Sequence, residues 1–388
     1  MGLLKKIRIG SEIAIKAAQM MCYSLLPIKQ NKVVFRSYHG TKYNDSPMYI
    51  SERLVADARN AGKEIDVVWI TDGRISTPAS VRTVVQGSRK ALYELATAKV
   101  WVDNLRKDLW DRKRKGQYYI QTWHAGTALK MVEKDALDKL PRAYVKRAIR
   151  DSKMADVFIS ASEDNSNLYR SAFWYDGQIL EYGCPRSDIF YQVPTEYRRK
   201  VYQHFHLSEN DKIVLYAPTF RNSGGLDCYS IDYQQLLEEL SKKWGGNWVV
   251  IIRLHPNLAE KQSEIPYGDS VFNGSSYPDI NEIIIASDFL ITDYSSCMFD
   301  AMEAQKRVIL YASDERSYMS ERGMYYQLNE LPFPVTHDNT ELIDCIRTFD
   351  LAEYKLQVES FMNKLGFVND GKASERCAQL IMKEMGLI

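Results

Sequence analysis

Short apolar runs alternate with amphipathic stretches from about residue 31 to the end of the chain. Short apolar runs predict buried strands, and apolar residues that recur every three or four positions predict helices. The predicted strands are 32–37, 65–70, 99–104, 118–123, 156–160, 178–182, 212–217, 248–254, 289–292 and 307–311. The predicted helices are 48–61, 140–150, 232–243, 279–287, 296–305, 340–347 and 374–385. Alternation of this kind is typical of parallel α/β sheets.

The alternation is interrupted between residues 183 and 195, where the sequence GCPRSD is followed by a second proline, Pro194. A chain of 388 residues can bury two cores of ordinary size. We therefore expect two Rossmann-like domains, 29–190 and 191–388, that face each other across a cleft. In sheets of this type ligands bind beyond the carboxyl ends of the strands.

Residues 1–28 differ from the rest because basic and apolar residues are interleaved there. The apolar part is too short to span a bilayer comfortably, and no small-residue cleavage site follows it. The pattern favours an amphipathic helix in the headgroup region of a membrane, with its lysines towards anionic lipid. The alternative is a helix packed on the first domain.

Composition and charge exclude several classes of protein. The apolar fraction of 45% and the charged fraction of 26% are typical of globular chains. The formal net charge of +1 provides no basic field for nucleic acid, so none is expected as a partner. Six scattered cysteines without CxxC spacing indicate unpaired thiols in a reducing compartment.

The segment 118–130, YYIQTWHAGTALK, carries the first candidate for chemistry. An apolar run leads to His124 and breaks at a small-residue turn that includes Gly126 and Thr127. A histidine at the end of a buried strand is well placed to act as a base, and the turn can present backbone N–H groups to a phosphate. The structural alternative is a histidine at the edge of the core that caps a turn.

Hydroxyl-bearing and charged side chains follow four predicted strands. The strand 178–182 is followed by Arg186, Ser187 and Asp188, and three strands of the second half are followed by the others. The others are Thr219 and Arg221, then Arg253 and His255, then Ser295, Ser296 and Asp300. Arginines pair with phosphate oxygens in a fork, and a helix start adds N–H groups and hydroxyls. A carboxylate is unsuited to phosphate but suits ribose or polyol hydroxyls. Each residue could be an ordinary cap or ion pair, but their coincidence on successive strands predicts an anion site.

Several familiar catalytic motifs are absent from the sequence. There is no GxxxxGK[ST], no GxSxG and no HExxH. No DxD triplet that would chelate a metal–diphosphate is present either. We therefore expect a reaction without a metal or cofactor, in which arginine and histidine supply the charge.

The motifs QTWHAGTALK, YGCPRSD, LYAPTFR, RLHP, ITDYSSCMFD and NDGKAS occur in this order along the chain. In order and rough spacing they resemble the CDP-glycerol glycerophosphotransferase family, whose members build teichoic acids and related glycerol-phosphate polymers. The family commonly has His-Gly-Thr-Pro-Leu-Lys where this chain has the seven residues 124–130. In that departure, and in lacking a large extra N-terminal domain, the chain resembles the short, primase-type or capsule-type members.

The resemblance implies a GT-B-like fold and a peripheral enzyme on the cytoplasmic face of the cell membrane. It implies that His124 is the base that takes a proton from the acceptor hydroxyl. The residues implied to hold the donor are Arg221, Arg253, His255, Ser295, Ser296 and Asp300, and His255 would also act on the leaving CMP. The acceptor would be a saccharide on polyprenyl diphosphate.

Three other functions stay open at this point. A CDP-ribitol transferase differs only in hydroxyl contacts that the sequence does not locate. A GT-B glycosyltransferase that uses a nucleotide sugar could have a similar base but would release a nucleoside diphosphate. A binding module that has kept the nucleotide fold would have no turnover.

Overall fold

The computed structural model describes residues 3–192, 195–221, 227–254, 258, 261, 263–265, 267–321 and 323–388. The chain forms two compact units. The first contains Met1–Ala125, Val132–Asp188 and Val368–Ile388, and the second contains Gly126–Met131 and Ile189–Phe367. The change at Asp188 lies close to the expected boundary at 190/191. Residues 368–388, by contrast, fold with the first unit.

The first unit is built on a parallel sheet of seven strands. They are β1 Lys29–Arg36, β2 Asp66–Thr71, β3 Arg82–Val85, β4 Ala98–Asp103, β5 Tyr118–Gln121, β6 Val157–Ile159 and β7 Gln178–Leu180. Their order is β3-β2-β1-β4-β5-β6-β7, so the direction of winding reverses between β1 and β4. Ligands of doubly wound sheets bind at such a switch point, beyond the carboxyl ends of the strands.

Helices cover the sheet of the first unit. They are α1 Leu3–Tyr23, α2 Asp45–Asn60, α3 Arg89–Thr97, α4 Arg142–Met154 and α5 Glu163–Ala172. One face of the sheet is covered by a core cluster that includes Val33, Phe35 and Leu54. The other face carries Val34 and Trp101. Burial on both faces explains why these strands read as continuous apolar runs in the sequence.

The second unit contains a six-stranded parallel sheet. Its strands are β8 Asp211–Tyr216, β9 Asn247–Ile252, β10 Val271–Asn273, β11 Phe289–Thr292, β12 Arg307–Tyr311 and β13 Val335–Thr336. The order β10-β9-β8-β11-β12-β13 places a second switch point between β8 and β11. The loops after these two strands therefore meet at one edge of the sheet.

The helices of the second unit alternate with these strands. They are α6 Thr195–Phe205, α7 Tyr233–Trp244, α8 Ile280–Ala286, α9 Cys297–Glu303, α10 Glu315–Glu321, α11 Asn339–Thr348 and α12 Leu351–Leu365. The chain then returns to the first unit with α13 Ala373–Glu384, whose Cys377 and Ile381 join the cluster around Val33. An amphipathic pattern predicts the helix but not the sheet on which it packs, because either core could bury the same apolar face.

The expectation of two parallel-sheet α/β domains is confirmed, and all ten predicted strands are present within a few residues of their predicted bounds. The sequence did not predict β3, β10 and β13. All three are edge strands, and edge strands are short and less apolar because one side lacks a neighbour. The arrangement of the domains across a cleft stays a prediction.

The predicted N-terminal helix is present as α1, and its second half packs on the first unit. Met20 is fully buried in the cluster around Val34, and the ring of Tyr23 meets that of Tyr93 edge-on at 5.8 Å. Within the ranges given above, none of the helices has the length and apolar character needed to cross a bilayer. A membrane role for α1 stays a prediction.

Candidate active site

His124 follows β5 at the carboxyl edge of the first sheet. The chain turns sharply before it, because Trp123 has a φ of 54°, a conformation that a bulky residue rarely adopts. The turn is held by a bond from the Trp123 N–H to the side-chain oxygen of Gln121 at 2.8 Å. Strained backbone of this kind is often found at functional sites. The residue His124 as a whole is partly exposed.

Its hydrogen bond fixes the tautomer of the His124 ring. Nδ1 lies 3.1 Å from the backbone oxygen of Asn104, which follows β4. A carbonyl oxygen can only accept, so Nδ1 carries the proton and Nε2 keeps its lone pair. Burial is the largest cause that lowers the pKa of His124, while the bond to Asn104 acts in the opposite direction. The ring is therefore a neutral base near pH 7.

Charged and aromatic groups surround His124 within the first unit. Arg186 donates from Nη1 to the backbone oxygen of His124 at 2.9 Å and lies 3.3 Å from Asp45. The Asp45 carboxylate also accepts from the Tyr38 hydroxyl at 2.8 Å, and the Tyr38 ring is 5.9 Å from the His124 ring. Tyr38 and Asp45 both have positive φ. This polar arrangement fixes the position of the His124 backbone.

The sequence gives no sign that Tyr38, Asp45 and Asn104 are neighbours of His124. Each follows or flanks a strand whose apolar run gives no sign of which other strand lies beside it. Arg186 lies in the GCPRSD motif, which pointed to this strand end without giving its partner. Only the order β1-β4-β5 brings the loops after these strands together.

A buried arginine, Arg106, packs against the loop that carries Trp123 and His124. Arg106 is almost fully buried, donates to Glu133 at 3.0 Å and to Asp151 at 3.1 Å, and lies 5.4 Å from the centre of the Trp123 ring. Burial by itself lowers the pKa of Arg106, but the two carboxylates outweigh it and hold the pKa above its ordinary value. Arg106 thus keeps a buried positive charge against the Trp123 ring, and this contact helps to position His124, the next residue.

In the second unit, Asp293 ties together the loops at the switch point. It is fully buried after β11 and accepts from the backbone N–H of Thr219, after β8, at 2.8 Å. It also lies 2.8 Å from Nη2 of Arg221. Thr219 and Arg221, predicted from the motif that follows β8, are therefore both held by the carboxylate that follows β11.

The guanidinium of Arg221 is engaged by a second carboxylate. Nε lies 2.6 Å and Nη2 2.9 Å from the two oxygens of Asp314. Burial alone lowers the pKa of Arg221, but Asp314 and Asp293 raise it above its ordinary value, so the group stays charged. The rings of Tyr294 and Tyr318 stack at 3.9 Å beside it. A phosphate fork on Arg221 stays a prediction, and it would compete with Asp314 for the same N–H groups.

Arg253 follows β9 at the same edge of the sheet. Its Nη1 donates to the backbone oxygens of Gly274 and Tyr277 at 2.9 and 2.8 Å. Burial is the largest cause that lowers its pKa, and the charge of Asp279 opposes it. Arg253 therefore spans the β9 and β10 loops, and its predicted contact with phosphate is untested. His255 lies outside the described residues.

Ser295 and Ser296 precede α9, directly after the switch-point strand β11. Both are partly exposed, and the Ser296 side chain makes no capping bond to the helix. Asp300 is buried one turn into α9. The serine hydroxyls thus lie beside the Asp293 loop, where a ligand of this sheet would be expected.

Gly126 and Thr127 belong to the second unit by their contacts, although they follow His124 directly. Thr127 is 2% exposed, and its hydroxyl oxygen has no hydrogen-bond partner among the described residues. The described part of the chain also contains no group of three or more His, Cys, Asp or Glu that could hold a metal ion.

The chain is a two-domain α/β protein, and each of its parallel sheets has polar and charged side chains near its switch point. Comparison with known proteins gives the family. Residues 18–383 match the model of CDP-glycerol:poly(glycerophosphate) glycerophosphotransferase. The chain belongs to this family, as the motifs predicted.

Two curated relatives illustrate the match. The teichoic acid poly(glycerol phosphate) polymerase of Bacillus subtilis is 29% identical over 378 residues, which are 94% of this chain and 50% of that protein. This chain therefore spans about half the length of that relative. The teichoic acid glycerol-phosphate transferase of Staphylococcus aureus is 30% identical over 377 residues, which are 93% of this chain and 95% of that one.

A solved structure gives the same result for the fold. A variant of the wall teichoic acid polymerase TagF, soaked with CDPG, is similar to this chain with a TM-score of 0.84 at 29% identity. The similarity covers 99% of this chain and 97% of the TagF chain.

Proposed function

We propose that the protein transfers glycerol phosphate from CDP-glycerol to a hydroxyl group of an acceptor and releases CMP, in teichoic acid or capsule synthesis. The proposal depends above all on the tautomer of His124. A neutral ring with Nε2 unprotonated is what a base needs in order to take a proton from an attacking hydroxyl. The family match over residues 18–383 supports the choice of donor.

The second unit supports the proposal through its switch point. Ser295 and Ser296 are partly exposed there, and Arg221 keeps its positive charge. The hydroxyl of Thr219 is buried. Phosphoryl transfer depends mainly on alignment and charge neutralisation, so hydroxyl and guanidinium groups suffice to hold a diphosphate. His255 would add a proton donor near the leaving CMP.

A product analysis tests this activity. Purified protein is incubated with CDP-glycerol, CDP-ribitol or a UDP-sugar, each with a soluble analogue of a lipid-linked disaccharide. We expect CMP release and an acceptor heavier by glycerol phosphate units only with CDP-glycerol. Transfer from CDP-ribitol alone would establish the ribitol alternative. Release of a nucleoside diphosphate would establish a glycosyltransferase, and no turnover with any donor would favour a binding module.

We further propose that α1 holds the protein on the cytoplasmic face of the cell membrane, where a polyprenyl-linked acceptor would be found. Five large apolar side chains in or just after α1 are exposed although α1 packs on the first unit: Ile9 at 40%, Ile15 at 58%, Met21 at 65%, Leu25 at 89% and Leu26 at 40%. Arg8, which precedes Ile9, is also exposed. Exposed apolar side chains next to cations are typical of helices that bind an anionic bilayer surface.

The variant Ile15→Glu/Leu25→Glu is expected to shift the protein from anionic vesicles to the soluble fraction. Each apolar side chain buried in lipid contributes about 1.5–3 kcal/mol, so partition should fall at least about tenfold. The buried Met20 is untouched, so packing of α1 is preserved. Leu356→Glu, at a 67% exposed position on α12, is the matched control. Unchanged vesicle binding of the double variant, measured by sedimentation, would exclude this role for α1.

A further inference from the structure

The helix α4 is rich in cationic residues, although the chain as a whole is nearly neutral. Five of its thirteen residues are cationic: Arg142, Lys146, Arg147, Arg150 and Lys153. Its single carboxylate, Asp151, is buried and paired with Arg106. The outer surface of α4 therefore carries no acidic side chain to balance the cations.

Three of these cations form a stripe along the helix. Arg142, Lys146 and Lys153 are separated by four and seven positions, which places them within about 40° of one another around the axis and spreads them over about 16 Å. All three are exposed, and none forms an ion pair with a carboxylate of the described residues. We call Arg142, Lys146 and Lys153 the cationic stripe.

The opposite face of α4 is joined to the loop that carries His124. Tyr144 donates to Glu133, whose other oxygen lies 3.0 Å from Arg106, and Arg106 lies under Trp123. These contacts hold α4 against the loop of His124, and the cationic stripe lies on the exposed face of α4 that is turned away from that loop.

We propose that the cationic stripe is a binding site for the phosphate groups of an acceptor that already carries several glycerol phosphate units. The inference rests on the proposed function and specifies its acceptor. A row of exposed, unpaired cations suits a flexible polyanion, because each phosphate can meet a charge without displacing an internal ion pair. Contacts of this kind hold a chain in place and are weakened by salt.

A bilayer surface is a less suitable partner for this helix. An interfacial helix needs large apolar side chains exposed beside its cations. None of the exposed large apolar residues of the described chain lies on α4, whereas Ile9, Ile15 and Met21 lie on α1. The charge on α4 therefore matches a soluble anionic chain better than a lipid surface.

The test compares acceptors of different length. The variant Arg142→Gln/Lys146→Gln/Lys153→Gln and the unmodified protein are assayed with CDP-glycerol and soluble acceptors that carry either one or about ten glycerol phosphate units. For the variant we expect the KM of the long acceptor to rise about tenfold, because three exposed charge contacts are lost. The KM for CDP-glycerol and the rate with the short acceptor should not change. The rise should shrink as salt is added.

A matched control separates the stripe from net charge. Arg59→Gln/Lys63→Gln/Lys90→Gln removes the same charge at exposed positions elsewhere on the first unit, and it should leave the KM of the long acceptor unchanged. Equal KM values of the stripe variant and the unmodified protein for the long acceptor would overturn the inference while leaving the proposed function intact. So would a loss of binding to anionic vesicles without a loss of binding to the long acceptor. Absence of CMP release with either acceptor would instead refute the proposed function.

Discussion

Replacing His124 with alanine is expected to lower the turnover number by at least about 100-fold, because a positioned general base contributes about 10²–10⁴-fold. The proposed donor-binding residues Arg221 and Ser295 belong to the second unit, whereas His124 belongs to the first. Binding of CDP-glycerol, measured by calorimetry, should therefore survive the substitution. The combination of lost turnover and retained donor binding identifies a base rather than a structural histidine.

The pH dependence gives a second readout of the same residue. Only neutral His124 can take a proton, and burial lowers its pKa below the ordinary value of 6.5. The rate should therefore hold as the pH falls to 6.5 and decline only below it. His204→Ala, at an exposed position on α6, is the matched control and should leave the profile unchanged. A near-normal rate of the His124→Ala protein would rule out the proposed base.

The second large effect is expected for stability. Arg106→Met should reduce the free energy of unfolding by about 3–5 kcal/mol, because it leaves Glu133 and Asp151 buried without their cation. It also removes the charge under Trp123, so the rate should fall in the fraction that remains folded. Denaturant unfolding and turnover, measured on the same preparation, test both parts.

Two further variants define the cause of that effect. Arg106→Met/Glu133→Gln/Asp151→Asn removes the charges together and should recover much of the lost stability, since no unpaired buried ion remains. Arg74→Met is the surface control, because Arg74 is 84% exposed and its ion pair with Asp72 should contribute nothing measurable. If Arg106→Met unfolds at the same denaturant concentration as the unmodified protein, the buried cluster is not a stabilising platform.

The candidate site was only partly accessible from the sequence. His124 stood out because a polar residue interrupts an apolar run at a turn, and Thr219, Arg221, Ser295 and Ser296 stood out for the same reason. Asp293 and Asp314 did not, because carboxylates after a strand are common and nothing in their spacing predicts that both meet Arg221. Whether Arg221 also meets a phosphate depends on whether a ligand can displace Asp314.

For the N-terminal and C-terminal helices, too, the sequence predicted the helix but not the surface on which it packs. The amphipathic pattern predicted both α1 and α13, since a helix period is a local property of the chain. It could not show that Met20 is buried against the first sheet or that Cys377 returns to that sheet after the whole second unit. Those contacts depend on which apolar surface is left uncovered when the rest of the chain has folded.

By itself the sequence determined the alternation of strands and helices, the two parallel-sheet domains and the family, because local periodicity and short motifs carry that information. The tertiary structure alone decided the strand order, and with it the neighbours of each strand end. Asn104 could be recognised as the residue that sets the protonation of His124 only once β4 and β5 were seen side by side. Hydrogen bonds between distant segments depend on register and packing across the sheet, which no local pattern records.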